Sequence, residues 1–207
     1  MERYMMILKS LKRMNPELEQ ALRENVHPMN LSKDEILQSP EALNDTLYFV
    51  EKGILHYFDF RHGHKTTMAF RWEDQFVLTL KSVFGTKPGP YNGIEALEDS
   101  TLWYIPGGLV DELLQKYIEF NFHLRVILER DTISIIDTYH CAHPTHGPEN
   151  LKNLTSNFPQ LLHRVPVKYL ANLTQIPEKQ LKHLLKSPIK LITDGKRRRR
   201  GGPKGTI

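Results

Sequence analysis

Four potential metal ligands lie within one stretch of seven residues: His140, Cys141, His143 and His146. Imidazole and thiolate groups at such short spacing suit zinc or copper. However, Pro144, Gly147 and Pro148 predict an irregular exposed loop, and the sequence has no second ligand cluster at the spacing of a zinc finger. We therefore predict a polar hinge rather than a metal site. Its histidines would make that hinge sensitive to pH near about 6.5.

A second histidine pair, His62 and His64, flanks Gly63 in a region rich in β-branched residues. The pattern resembles the His-x-His of cupin metalloenzymes, where both imidazoles point into a barrel and a carboxylate completes the metal shell. Here the pair lies at a predicted hairpin tip, and residues 65–68 offer no carboxylate. The sequence also lacks a Gly-rich phosphate loop, a nucleophile elbow and an HExxH motif. We predict that the chain is not an enzyme and has no cofactor.

Basic side chains project from one face of a short predicted helix near the C-terminus. The helix opens at Pro177, and Leu181, Leu184 and Leu185 are spaced to pack inward. The residues turned outward are the candidate DNA contacts: Lys179, Gln180, Lys182, His183 and Lys186. Lysine and histidine donate hydrogen bonds to phosphates and base edges. The alternative is that this face is an ordinary solvated helix surface.

The chain is basic overall, but the charge is unevenly distributed. The formal net charge is +4 at pH 7, with a pI of about 9.1. The last 18 residues hold seven basic residues and one acidic residue, whereas the other 189 hold 21 basic and 23 acidic residues. We expect residues 190–207 to be a disordered tail. The tail either adds phosphate contacts without sequence information or is only a solubilising end.

Composition excludes several classes of protein. The 207 residues are 40% hydrophobic and 25% charged, as in ordinary globular proteins, which excludes wholesale disorder and a fibrous rod. A single cysteine, Cys141, cannot form an intramolecular disulfide, which favours a reducing, cytoplasmic location. The sequence has no run of about 18 apolar residues, and its N-terminal segment lacks the pattern of a secretory signal, so we expect no membrane contact.

Residue patterns predict an α+β protein. Residues 1–27 predict helix, with Asn15 as a cap and Pro16 at the first helical position. Between Glu35 and Pro106, short apolar and β-branched runs alternate with turn residues, which predicts an antiparallel sandwich or barrel. A turn at Gly53 is expected to need a positive φ.

A long helix is predicted from Leu109 to about Tyr139, where neither Pro nor Gly occurs. Apolar residues spaced by four and three form a seam along it: Leu113, Tyr117, Phe120, Leu124 and Ile127. Such a seam must be covered, either by the chain's own β-domain or by a second copy of the chain.

A compact helical pair is predicted between Val165 and Lys186. Pro166 starts the first helix, and the small side chain of Ala171 lets the second helix cross close to it. Residues 174–176 form the predicted turn between the helices. This layout is typical of a helix-turn-helix.

With strands, long helix and helix-turn-helix in that order, the sequence resembles the Crp/Fnr family of transcription regulators from about Leu31 to Lys186. The resemblance is carried by the order and spacing of five segments: LYFVEKGIL (47–55), the hairpin containing Gly63, IEALEDSTLWYIP (94–106), FPQLLHRVPVKYLA (158–171) and IPEKQLKHLLK (176–186). It implies an N-terminal antiparallel β jelly roll of the cyclic-nucleotide-binding-like type, dimerisation through the long helix, and promoter binding by the second helix of the helix-turn-helix.

The resemblance also implies a division of the chain and a partner for the apolar seam. The expected parts are the β-domain with its N-terminal helices (1–108), the dimerisation helix (109–140), the DNA-binding helix-turn-helix (141–189) and the basic tail (190–207). The five seam residues are accordingly assigned to a homodimer interface, and the partners are double-stranded DNA and a second copy.

The sequence departs from the family pattern at the nucleotide pocket and at the turn. Nucleotide-binding members use a Gly-Glu pair for the ribose and an Arg-Ser or Arg-Thr pair for the phosphate, and neither is present in Glu73–Leu80 or Lys87–Gly93. We therefore predict that cAMP does not bind. The domain holds either another small effector, with Phe76, Tyr91 and Asn92 as pocket residues, or a filled core. Where family turns usually have Gly, this chain has Gln175.

The sequence thus predicts a cytoplasmic, bacterial, dimeric transcription regulator of Crp/Fnr type. The alternative is a dimeric effector-binding or interaction module without specific DNA binding.

Overall fold

A computed structural model of the chain describes residues 1–39, 46–61, 63–78, 92–142 and 147–186. Its helices are α1 (Glu2–Leu11), α2 (Pro16–Asn25), α3 (Gly107–Lys116), α4 (Ile118–Ala142), α5 (Gly147–Asn157), α6 (Leu161–Arg164), α7 (Val167–Thr174) and α8 (Glu178–Lys186). Its strands are β1 (His27–Leu31), β2 (Ile36–Gln38), β3 (Leu47–Lys52), β4 (Leu55–Arg61), β5 (His64–Arg71), β6 (Phe76–Val77), β7 (Asn92–Ala96) and β8 (Ser100–Ile105). The described residues therefore form the mixed helix and sheet protein that was predicted.

The described strands form two antiparallel sheets that face each other, which confirms the predicted jelly roll. One sheet has the order β1-β8-β3-β6 and the other β2-β7-β4-β5. Apolar side chains of both sheets fill the space between them, among them Val50, Leu55 and Leu102. Gly53, in the turn from β3 to β4, has a φ of 109°, and a Cβ there would lie 2.0 Å from the Ser100 hydroxyl. Only glycine fits this position, as expected. We call β1–β8 the roll.

The N-terminal segment is two helices rather than one. α1 ends at Leu11, and α2 begins at Pro16, where the Asn15 side chain accepts a hydrogen bond from the Leu18 N–H at 2.7 Å. The predicted cap and helix start are thus confirmed. His27–Leu31, where the helix was expected to end, is instead an edge strand that pairs with β8.

The predicted long helix is interrupted at Tyr117. This residue has an extended backbone, with φ −123° and ψ 106°, although neither Pro nor Gly is nearby. The Asn121 side chain donates to the carbonyl oxygens of Leu114, at 2.8 Å, and Tyr117, at 3.4 Å. These bonds satisfy acceptors that the end of α3 leaves without helical partners. The break therefore divides the predicted helix into α3 and α4.

The apolar seam of this region is covered within the chain itself. Its five residues are buried in one core with the N-terminal helices: Leu113, Tyr117, Phe120, Leu124 and Ile127. The same core contains Tyr4, Met5 and Leu8 of α1. This burial corrects the assignment of the seam to a partner chain, because side chains that already pack inside one copy are not the face that a second copy would contact.

A buried ion pair joins the roll to α4. The Arg71 side chain, 1% exposed, donates to one oxygen of Asp131, 5% exposed, from Nε at 2.9 Å and from Nη2 at 2.6 Å. Arg71 also donates to the Phe70 carbonyl oxygen at 2.9 Å, and its guanidinium lies 5.1 Å from the centre of the Tyr57 ring. Asp131 is the residue at which the apolar period of the long helix breaks in the sequence. The ion pair with Arg71 accounts for a charged residue at this buried position of α4.

Candidate nucleic-acid interface

The helix-turn-helix is built from α7, α8 and the turn between them. Leu170, Leu173 and Ile176 are buried together with Leu181 of α8, which is fully covered. Gln175 has φ 56° and ψ 25°, so a residue other than glycine occupies the left-handed conformation that ends α7. The backbone strain at such a position is on the order of 1 kcal/mol, which the packing of the two helices must offset.

The outer face of α8 carries all the candidate DNA contacts that the sequence analysis named. All five side chains are exposed: Lys179, Gln180, Lys182, His183 and Lys186. Residues 179 and 186 are seven positions apart, so this face is about 10 Å long. Lys182 pairs with Glu178 at 2.5 Å, one turn earlier, which partly neutralises it. The exposure of these five side chains confirms the predicted outward face of the helix. Their contact with DNA stays a prediction.

Helices α5–α8, residues 147–186, form a unit that we call the head, and the head packs against one sheet of the roll. The apolar part of this contact joins Ile54, Phe70 and Leu97 to the core of the head. Trp72 of the roll also meets Phe158 of the head edge to face, with ring centres 5.6 Å apart. The face of α8 described above remains exposed in this arrangement.

A buried polar cluster lies at the centre of the contact between roll and head. His56 is fully buried, and its Nδ1 lies 2.9 Å from Glu95 Oε1. Because an ionised carboxylate only accepts, Nδ1 donates, and Nε2 of the neutral ring accepts from the Thr67 hydroxyl at 3.0 Å. Burial lowers the pKa of His56, and its hydrogen bond to Glu95 opposes this only in part.

Glu95 is the point at which several elements converge. It accepts hydrogen bonds from His56 of β4, Lys65 of β5 and, at 3.1 Å, the Tyr169 hydroxyl of α7. Burial acts to raise the pKa of Glu95, but the bonds from His56 and Lys65 outweigh it and lower the pKa to about 2. The carboxylate is therefore charged throughout the physiological range. Beside it, the Thr67 N–H donates to Asn172 Oδ1 of α7 at 2.6 Å.

Arg164 forms a second polar link between head and roll. Its guanidinium donates to both oxygens of Glu73, at 2.7 and 2.9 Å, and also to Glu98. Glu73 accepts as well from the Gly53 N–H at 2.9 Å. Hydrogen bonding from Arg164 lowers the pKa of Glu73 to about 2. Arg164 and Glu73 are 91 positions apart, so no local pattern in the sequence indicates that they pair.

The predicted effector pocket is not assembled as expected. Phe76 points toward α1, where its ring lies 5.8 Å from that of Tyr4 and 5.2 Å from that of Phe49. It belongs to the core shared with the helices and not to the interior of the roll. Tyr91 and the side chain of Asn92 lie outside the described residues. Phe76 is therefore corrected from a pocket residue to a core residue.

Phe76 also borders a small cavity between α1, the roll and α4. The cavity has a volume of about 160 Å³, and the Arg71–Asp131 pair forms part of its wall. Ile7 and Ile127 line its apolar side, and Arg130 belongs to its polar side.

The histidine motifs fall mostly outside the described side chains. His140 and Cys141 belong to the last turns of α4, but their side chains, and all of His143 and His146, lie outside the described part of the chain. Across the residues that the structure does describe, no three His, Cys, Asp or Glu side chains are grouped so as to hold a metal ion. His64 is exposed on the β4–β5 hairpin rather than turned into the roll, unlike the cupin pattern.

Of the helices within the described ranges, none has the length and apolar character needed to cross a membrane.

Comparison with known proteins identifies the fold. No protein-family model and no curated protein matches the sequence. Among solved structures, a transcriptional regulator assigned to the crp/fnr family of Eubacterium rectale superposes with a TM-score of 0.64 at 13% identity, over 83% of this chain and 82% of the other. FixK2 of Bradyrhizobium japonicum has a TM-score of 0.61 at 11% identity, over 77% and 82% of the two chains.

A third solved structure is CLP of Xanthomonas campestris, named as a c-di-GMP-responsive global regulator. It superposes with a TM-score of 0.58 at 11% identity, over 83% of this chain and 90% of the other. At these identities the likeness concerns the fold. The chain therefore has a Crp/Fnr-like fold, with a β-roll, a long helix and a C-terminal helix-turn-helix.

Proposed function

We propose that this protein is a transcription regulator that binds double-stranded DNA as a homodimer through α8. The observation that carries the proposal is the exposed basic face of α8, on a helix-turn-helix that belongs to a Crp/Fnr-like fold. The regulators of similar structure support this role over an enzymatic one. In this proposal residues 1–108 form the sensor domain, 109–140 the dimerisation region and 141–189 the DNA-binding domain, in the cytoplasm.

The homodimer uses the outer face of α4 and not the buried seam. Ile133 is 57% exposed and Ile136 45% exposed on this face. A groove beside Ile133 is lined by Asn121 and Leu128 of α4, which are seven residues apart, and by Leu114 of α3. A second copy of the same helix fits such a heptad spacing, since two parallel helices bury residues that repeat every seven positions. The dimer would place two copies of α8 for successive major grooves.

The sensor domain in this proposal does not bind cAMP. Apolar side chains fill the interior of the roll formed by the described strands. A buried phosphate needs a cation, and the fully buried Arg71 is already committed to Asp131. Isothermal titration calorimetry of the purified protein with cAMP is expected to give no saturable heat at micromolar concentrations. Tight, saturable heat would contradict this prediction.

Selection from a pool of randomised DNA duplexes tests the DNA-binding function. The wild-type protein is expected to enrich a two-fold symmetric motif whose half-sites are about 10 base pairs apart, one helical turn. A variant with Lys179→Ala, Lys182→Ala and His183→Ala is expected to enrich none, because removing side chains that bond to bases or phosphates weakens binding. The matched control, Lys33→Ala with Lys52→Ala, removes two exposed lysines from the roll and should enrich the wild-type motif.

The same selection separates the proposal from its alternative, a dimeric effector-binding or interaction module. The pairing of Lys182 with Glu178 favours this alternative, since it reduces the positive charge that α8 offers to phosphate. Specific DNA binding is contradicted if the wild-type protein enriches no motif and if added salt weakens its binding to all DNA sequences equally.

A further inference from the structure

The head is held on the roll by directional polar bonds as well as by apolar packing. Apolar contacts such as those of Ile54 and Phe70 stabilise the contact but set no angle, because the hydrophobic effect is not directional. Hydrogen bonds require donor and acceptor to meet within narrow limits of distance and angle. Two groups of such bonds cross this contact, one around Glu95 and one around Arg164.

The two groups restrain the head at separate points of its surface. At the first, Tyr169 and Asn172, on one turn of α7, bond to Glu95 and to the backbone of Thr67. At the second, Arg164, at the end of α6, engages Glu73 through two parallel hydrogen bonds and also bonds to Glu98. A paired guanidinium and carboxylate resist rotation as well as separation. Together the two points define one orientation of the head.

Displacement of the head would remove the Tyr169 hydrogen bond from Glu95, which keeps its bonds from His56 and Lys65 of the roll, and would break the bonds of Arg164 to Glu73 and Glu98. Glu95 is nearly fully buried, and His56 beneath it is fully buried. A buried acceptor that loses one of its donors is less well satisfied. A tilted head therefore keeps fewer of these hydrogen bonds than the docked head.

We propose that Arg164 and Glu95 are positioning residues that hold the head on the roll of the same chain and thereby set the direction in which α8 faces DNA. The docking itself is independent of any DNA-binding role. Its effect on DNA affinity rests on the proposed function. In the docked arrangement the five candidate contact residues of α8 are exposed and accessible to DNA, and the proposal takes this arrangement as the one that binds.

Distance measurements between spin labels on the full-length protein test the docking. Labels are attached at Lys52→Cys on the roll and Gln180→Cys on the head, with Cys141→Ser in every sample; both labelled sites are exposed. Doubly labelled chains are diluted with unlabelled protein, so that only distances within one chain contribute. The wild-type protein is expected to give one narrow distribution. Arg164→Met combined with Glu95→Gln is expected to broaden it toward longer distances.

A matched control removes an ion pair of the same kind elsewhere. Arg23→Met breaks the bonds of Arg23 to Glu2 and Glu19, at the surface of the N-terminal helices, and should leave the distribution narrow. Arg164→Lys is a milder second variant, because lysine keeps the charge but not the two parallel bonds; it should broaden the distribution less. A distribution in the double variant as narrow as that of the wild type, or a broad one in the wild type, overturns the proposal.

The effect on DNA is measured separately, on the motif obtained by selection. The apparent dissociation constant rises as the docked fraction falls, so the unlabelled Arg164→Met and Glu95→Gln double variant is expected to bind up to about tenfold more weakly. Unchanged affinity despite a broadened distribution would overturn the positioning role. Because the distances are measured without DNA, a wild-type protein that binds no motif contradicts the proposed function and leaves the docking result standing.

Discussion

At the scale of single residues, His56 links stability to pH. Burial lowers the pKa of this histidine below the value of about 6.5 that it has in the unfolded chain. As pH falls below about 6.5, the unfolded chain therefore binds a proton that the folded chain does not. The free energy of unfolding decreases in that range, by at most about 1.4 kcal/mol per pH unit.

Urea unfolding at pH 7.5 and 5.5 tests this linkage. The wild-type protein is expected to be less stable at pH 5.5, and His56→Gln is expected to reduce the difference between the two pH values. His27→Gln changes an exposed histidine and should leave the difference as it is. Below about pH 4.5 further stability is lost, because Glu73 and Glu95, whose folded pKa values are about 2, must then be protonated on unfolding. An unchanged difference in His56→Gln would show that other groups cause the effect.

A second prediction at the scale of residues concerns the Arg71–Asp131 pair. Replacing one partner is expected to lower the free energy of unfolding much more than replacing both. Arg71→Met leaves the Asp131 carboxylate buried and unpaired, which is expected to cost about 3–5 kcal/mol. Replacing both partners, as Arg71→Met with Asp131→Leu, is expected to restore most of that loss, since no charge then remains buried. Arg3→Met breaks an exposed pair with Asp74 and should cost much less than Arg71→Met, because exposed ion pairs contribute little to stability. The midpoints of urea unfolding measure all three, and a double variant no more stable than Arg71→Met would contradict the argument.

At the scale of elements, the sequence predicts what local rules determine. The cap at Asn15, the positive φ at Gly53 and the outward face of α8 follow from short spacings, and the structure has each of them. At the break at Tyr117, the side chain of Asn121 donates to a carbonyl oxygen of α3. Helix propensities of single residues do not predict such a contact. The pairing of His56 with Glu95 and of Arg164 with Glu73 spans 39 and 91 residues, so only the folded chain brings these groups together.

The same limit explains the misassigned seam of the long helix. A helical period indicates which residues share a face but not what covers that face. The N-terminal helices cover the seam here, and the opposite side of α4 is left with exposed apolar residues. This second face, not the first, is the one on which a dimer is expected to depend.

Substitution of that second face is therefore expected to change the oligomeric state without unfolding the chain. Ile133→Glu with Ile136→Glu places charges where two copies of α4 would meet, and sedimentation analysis should find a monomer where the wild type is a dimer. Met6→Glu, at a site 64% exposed on α1, is the control and should stay dimeric. The far-ultraviolet circular dichroism of each variant should stay that of the wild type, because exposed sites contribute little to the core. A wild-type monomer, or a dimer that survives both substitutions, would contradict the proposed interface.

At the scale of the whole molecule, the net charge of +4 does not by itself support DNA binding by the folded part of the chain. The last 18 residues contain the excess of basic groups, and the other 189 sum to a slight negative charge. Under the proposed function, recognition of sequence is assigned to the few exposed residues of α8 on the docked head. Basic groups in the tail can add only the part of the affinity that does not depend on sequence.

Removal of residues 195–207 separates these two contributions. The deletion takes away six basic residues. For every phosphate that the tail no longer neutralises, the slope of log affinity against log salt concentration becomes shallower by about 0.9, so we expect weaker binding to all DNA with a reduced salt dependence. The ratio of affinities for the selected motif and for scrambled DNA should stay the same, measured by fluorescence anisotropy over a range of salt. A full-length variant with Arg197, Arg198, Arg199 and Arg200 changed to Ser separates charge from length and should behave as the deletion does. If the affinity ratio fell toward one in either variant, the tail would have to contact bases, and α8 would not be the only reader of sequence.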